Sequence, residues 1–143
     1  MNILLFIISS IIIWVLGFSL HEICHKIGGM IQGADSYIDI WWHKGIISMR
    51  CIYTDSLKYP WLAHISGGFV SGVTLMVLSL LTINYIELFI PLFTVGFINF
   101  IYSFYETLYI RKYEAEKYMK WHYWLYLVSG IIGICISLGI LWA

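Results

Sequence analysis

Charge is what this sequence has least of. Of its 143 residues only 11% are Asp, Glu, Lys or Arg, less than half the ~25% usual in soluble domains, which excludes an ordinary water-soluble globular domain. The eight basic and eight acidic residues leave no net charge, so nothing points to a nucleic-acid partner. Cysteine is limited to Cys24, Cys51 and Cys135, an odd number scattered through apolar sequence, which does not make a disulfide framework. Internal repeats and low-complexity linkers are lacking, so residues 1–143 are expected to form one domain. Positive charge is lacking ahead of the first apolar run, and no small-residue cleavage site follows it. That first segment is therefore expected to be an uncleaved span rather than a signal peptide.

What fills the chain instead is apolar sequence, 61% of the total. A bilayer core takes about 20 helical residues to cross, and four runs reach that length. The first runs from near Ile3 through Leu20 and continues helically to Gly28 or Gly29. The others cover about Trp61 to Ile83, Glu87 to Ile110 and Trp121 to Trp142. Pro60 suits the first turn of the second helix, where a missing N–H costs nothing, and Pro91 is expected in the first turn or so of the third. Between the first two spans, Tyr37–Trp42 and Ile46–Tyr53 are rich in β-branched and aromatic residues and are separated by His43-Lys44-Gly45, which reads as a β-hairpin. An open strand edge cannot lie in lipid, so the hairpin should sit at the interface or line a cavity, a level that suits Trp41 and Trp42. Trp121, Tyr123, Trp124 and Tyr126 read as an interfacial belt on the fourth helix. The expected fold class is an all-α membrane protein of four transmembrane helices, with a short interfacial β-hairpin between helices one and two.

The positive charges set an expected orientation. Lys26, Lys44, Arg50 and Lys58 lie in the first connection, and Arg111, Lys112, Lys117 and Lys120 in the third. All therefore fall on one face of the membrane, which the positive-inside rule makes cytoplasmic, with both termini outside.

His21-Glu22-Ile23-Cys24-His25 matches the pattern H-E-x-x-H. Residues four apart share a helix face, so the two imidazoles can grip one zinc ion. Glu22 then stands beside the metal, where its carboxylate can take a proton from zinc-activated water. Three ionisable side chains within five residues of a membrane helix are costly, and such residues mark function. The alternative is that they snorkel at the helix end, as Lys26 is expected to do. A catalytic site needs a third protein ligand. Glu106 is the best candidate, being the carboxylate inside the third span at the same cytoplasmic depth; pairing with Arg111 or Lys112 is its competing role. Asp35, Asp39 and Asp55 are weaker alternatives in the loop. Asn99 shares a helix face with Glu106 and can hydrogen-bond a substrate or oxyanion. His64, at the cytoplasmic end of the second span, can stabilise an oxyanion, serve as a ligand or bond a neighbour. Gly68 and Gly72 form a small-xxx-small pair that lets helix backbones approach closely.

With these residues in place, the chain resembles the site-2 protease family of intramembrane zinc metalloproteases over about Ile3 to Ile110, with the fourth helix outside that core. The family carries H-E-x-x-H in a first core helix, a Gly-Pro-x-x-Asn type motif in the second and an acidic ligand in the third. Here Gly67-Gly68-Phe69-Val70-Ser71 occupies the place of the second motif, with Gly68 for Pro and Ser71 for Asn. Asn99-Phe100-Ile101-Tyr102-Ser103-Phe104-Tyr105-Glu106 stands for the third, without its Pro or Asp-Gly. The resemblance implies a divergent, minimal member with one zinc ion per chain. Such a member would hydrolyse a peptide bond in or near a transmembrane segment of a membrane-tethered substrate. The Tyr37–Tyr53 hairpin can hold an unwound substrate stretch as an added strand. Two alternatives stay open: a metal- or haem-binding membrane protein using His21, His25, His64 or His122, and an inactive protease relative that binds membrane helices.

Overall fold

A computed structural model describes residues 2–43, 46–109 and 115–142, with side chains at 41–43, 46–48, 108–109 and 115–123 left undescribed. The readings placed on Trp41, Trp42 and the His43-Lys44-Gly45 turn lie outside the described side chains and residues. So do those on Lys44, Arg111, Lys112, Lys117, Lys120, Trp121, His122 and Tyr123. Among the described residues the order of elements is α1 (Ile3–Met30), β1 (Ser36–His43), β2 (Ile46–Tyr53), α2 (Pro60–Leu81), α3 (Ile86–Tyr109) and α4 (Ala115–Trp142). Each of the four helices contains a stretch long and apolar enough to cross a membrane, the build of a multi-pass membrane protein. The expected fold class, four long helices with an antiparallel hairpin between the first two, is what the structure has.

Hydrocarbon offers backbone groups no partner, so apolar segments of this length close their own hydrogen bonds as helices. What then selects their packing faces is a stripe of small residues. In α1, Ser9, Ile13, Gly17, His21 and His25 are buried at four-residue intervals, while Ile11, Ile12, Val15 and Leu16 are left exposed on the outer side. In α2 the stripe is Ala63, Gly67, Ser71, Leu75 and Ser79. The helix α3 packs against the other three. Its closest approach is to α2, where a Cβ on Gly72 would lie 2.7 Å from Gly96 O and one on Gly96 would lie 2.9 Å from Gly72 O. Small residues thus let two backbones touch, as they do in membrane helix pairs generally. Ile13, Leu75 and Val95 form the small apolar core between α1, α2 and α3.

One expectation is corrected. Pro91 is not in the first turn of α3 but at its sixth residue, inside the helix. Proline there removes the N–H that would bond the carbonyl four residues earlier, which is Glu87 O. The Ser9 hydroxyl of α1 donates to that oxygen at 2.6 Å, so a neighbouring helix satisfies what the proline leaves open. Pro60, by contrast, does open α2 at its first position.

The chain leaves α1 through Gly33, whose φ of 78° suits a residue without Cβ. It then enters a hairpin in which Asp39 stands opposite Arg50 and pairs with it at 3.1 Å. Asp55 Oδ2 accepts from Asp35 N at 3.1 Å at the hairpin base. The hairpin folds back onto the end of α1, where the Tyr53 hydroxyl donates to His25 O at 2.9 Å. Burial pushes the Tyr53 phenol well above its ordinary value, so it stays a neutral donor.

Candidate metal centre

Because His21 and His25 continue the buried stripe of α1, they point into the bundle rather than at lipid; both are about 95% buried, at 4% and 5% exposure. The His25 ring is fixed from its far side. Its Nδ1 lies 2.7 Å from Ala63 O at the start of α2. A carbonyl only accepts, so Nδ1 carries the proton, and whenever the ring is neutral Nε2 presents its lone pair. That Nε2 lies 3.0 Å from His21 Nε2. Glu106, from the end of α3, brings Oε2 to 3.4 Å from His21 Nε2 and 3.2 Å from His25 Nε2. The oxygen is buried and makes no hydrogen bond.

Three donor atoms therefore stand at mutual distances of 3.0, 3.2 and 3.4 Å. Ligands on a tetrahedral zinc ion, held at about 2.0–2.1 Å, are separated by roughly 3.3–3.4 Å. With both rings neutral, lone pairs converging at this spacing repel one another, and no hydrogen bond satisfies the buried Glu106 oxygen. A cation relieves both, so the donor set fits a metal ion. His21, Glu22 and His25 form a group able to hold a metal, with ligand atoms within 4.8 Å of one another.

Glu22 is held from the hairpin side. Its Oε2 accepts from Cys51 N at 2.6 Å, which leaves Oε1 for other work. The bond also shows which way β2 faces. Antiparallel strands alternate inward and outward backbone groups, so Met49 and Tyr53, like Cys51, turn their N–H groups away from β1 along the edge nearest the site. Burial raises the Cys51 thiol above its usual range, which keeps it out of the thiolate form that binds metals.

The remaining candidates are placed as follows. The half-buried His64 meets His25 edge to face, with ring centroids 6.2 Å apart. Asn99 lies two turns along α3 from Glu106 and is 4% exposed. Its amide donates to Gly17 O and to Ser71 Oγ, each at 3.2 Å. The donor expected for a substrate is instead a strut tying α3 to α1 and α2, which fixes the height of His21 one turn past Gly17. The carboxylates of Asp39 and Asp55 are occupied within the hairpin and its base, and Asp35 bonds there through its backbone N–H and carbonyl.

Some contributors escape a reading of residue types. Ala63 acts through its backbone carbonyl and Cys51 through its backbone N–H. Gly67 acts by having no side chain: a Cβ there would land inside the His25 imidazole. Its one sequence signal is the tandem Gly67-Gly68, since two helical glycines in a row cost about 1 kcal/mol each against alanine and ask for a packing reason. From α4, Tyr126 stacks on Tyr102 at 5.0 Å and on Phe18 at 6.0 Å, and Tyr102 lies 5.8 Å from His21. Compared with known proteins, the chain matches no family model, no curated protein and no solved structure.

Proposed function

We propose that this chain is an intramembrane zinc metallopeptidase hydrolysing a peptide bond in or near a transmembrane segment of a membrane-tethered protein. The observation that carries the reading is the triangle of His21 Nε2, His25 Nε2 and Glu106 Oε2, with the Glu22 carboxylate beside it. Two histidines and one carboxylate, leaving a fourth position open, are a hydrolytic zinc set. A bound zinc ion would supply Lewis acidity, polarising the scissile carbonyl and making water a nucleophile near neutral pH. The protein's own part is proton traffic and positioning. Glu22 takes a proton from the attacking water and passes it to the amide nitrogen as the C–N bond breaks, giving a carboxylate and an amine. Cys51 N–H holds one oxygen of that carboxylate so that the other faces the reaction.

The outward edge of β2 supports the same reading. A transmembrane substrate has its amides bonded within its own helix and must unwind to be cut, and a strand edge beside the base can hold the unwound stretch. Met49→Pro deletes one outward N–H without touching the ladder. It is expected to slow cleavage of dye-labelled casein by the solubilised protein up to about tenfold, the worth of one backbone hydrogen bond; an unchanged rate would remove strand addition. Lys26, Arg50 and Lys58 lie at the end of the bundle that holds the site, which by the positive-inside rule faces the cytoplasm. A haem held between His21 and His25 loses ground, because their nitrogens 3.0 Å apart are too close to flank an iron from opposite faces.

The deciding measurement is zinc bound to protein purified in detergent without chelator. Near one zinc per chain is expected for the unmodified protein, none for His21→Ala and a clear reduction for Glu106→Ala. Full zinc in Glu106→Ala would send the third ligand elsewhere, and no zinc in the unmodified chain would end the peptidase reading.

A further inference from the structure

Peptide hydrolysis puts negative charge on the oxygen of the scissile carbonyl, and that charge needs an N–H or O–H donor aimed at it in addition to any metal. Several donors near the centre are already committed. Cys51 N–H goes to Glu22, the Asn99 amide to Gly17 and Ser71, and the Tyr53 hydroxyl to His25 O. His64 is different. It follows Ala63, the residue whose carbonyl holds His25, so its backbone is fixed at the site by the same turn of α2. Its ring packs edge to face with that of His25, the centroids 6.2 Å apart. The sequence leaves open that this histidine simply bonds a neighbour, but its ring nitrogens make no hydrogen bond or ion pair among the described residues. It is half-buried rather than sealed in, so a bound chain can reach it.

The approach directions are complementary. Glu22 enters from the hairpin side, held by β2, while His64 enters from α2 beside His25. A carbonyl attacked by water near Glu22 has α2 as a separate wall from which a donor can reach its oxygen. We propose that His64 is a catalytic residue of this site, its ring N–H donating to the scissile carbonyl oxygen and holding the charge that develops there as water adds. An imidazole keeps at least one N–H whether neutral or protonated, so the role does not depend on its charge. The inference rests on the metallopeptidase reading.

The test uses full-length protein in detergent, assayed for zinc content and for affinity toward two probes. One is a phosphinic peptide, whose tetrahedral centre carries two oxygens and imitates the addition product. The other is a peptide hydroxamate, a flat chelator that spends both of its oxygens on the metal and has no tetrahedral centre. His64→Phe keeps an aromatic ring against His25 but has no N–H, and His64→Gln restores a donor. Zinc content is expected to stay unchanged in both. Phosphinic-peptide affinity should fall about 100-fold in His64→Phe, the scale of one lost oxyanion donor, and recover at least in part in His64→Gln. Hydroxamate affinity should stay within about twofold, since no oxyanion donor is removed from its binding. Unchanged phosphinic affinity would overturn the proposal. A parallel loss of zinc and of both probes would also overturn it, making His64 a support for His25. An unmodified chain that holds no zinc, or holds zinc and binds neither probe, would sink the peptidase reading and this proposal with it.

Discussion

Gly67→Ala is expected to strip the chain of its metal while leaving the helices intact. The added Cβ would occupy the space of the His25 imidazole, and the ring has little room to yield. Its Nδ1 is bonded to Ala63 O at 2.7 Å, and its Nε2 faces His21 and Glu106 at 3.0 and 3.2 Å. To clear the methyl group the ring must rotate, breaking the bond to Ala63 and carrying Nε2 out of the triangle. Loss of an outer partner alone weakens metal sites about 10–100-fold, and here a ligand moves as well, so a loss of at least about 100-fold in zinc affinity is expected. The α2 helix gains rather than suffers, since alanine is the better helix former by about 1 kcal/mol. Zinc content by elemental mass spectrometry, read beside far-UV circular dichroism, tests both halves. Stoichiometric zinc in a folded Gly67→Ala protein would mean that His25 does not ligate in this orientation.

Glu22→Gln should do the reverse, keeping the metal and losing the reaction. The glutamine carbonyl oxygen can still accept from Cys51 N–H, replacing the 2.6 Å bond that docks β2 on α1. His21, His25 and Glu106 are untouched. What disappears is the basic carboxylate oxygen that moves the proton, and such groups contribute about 10²–10⁴-fold. Cleavage of dye-labelled casein is therefore expected to fall by about 10³-fold or more, at unchanged zinc content. A variant within tenfold of the unmodified rate would place the base on another residue. Together the two substitutions separate metal binding from catalysis, one from a helix that contributes no ligand and one from within the H-E-x-x-H turn itself.

Much of the architecture is legible in residue order because lipid leaves few choices. Charge-free runs of spanning length must be helices, and the β-branched and aromatic segments around His43-Lys44-Gly45 pair as expected, with Ser36 opposite Tyr53. The shared helix face of His21 and His25 follows from their spacing, and the expected depth of Glu106 follows from its place just ahead of the basic residues Arg111 and Lys112. What could not be read depends on how high one helix stands against another. Nothing in residue type says that Gly67, rather than Gly68 or Gly72, lies under the His25 ring, or that Ala63 lends its carbonyl. Asn99 shows the limit from the other side. Its face was readable, but whether an amide on that face meets a substrate or a neighbouring helix is decided by the closeness of Gly17 and Ser71. The start of α3 at Ile86, one residue ahead of the expected Glu87, follows a turn closed by Tyr85 N to Thr82 O at 2.8 Å, a bond that leaves no mark in composition.

The arrangement around Pro91 also binds two distant positions into one genetic unit. With proline at 91, Glu87 O accepts from the Ser9 hydroxyl; with any other residue at 91, the helix itself would supply an N–H. A serine-to-alanine change at position 9 is thus expected to cost more in this background than in one that has already lost the proline, an epistasis of magnitude between helices whose bonded pair lies 78 residues apart in the chain. The proline gives a bond to hold to a serine that most membrane helices could do without.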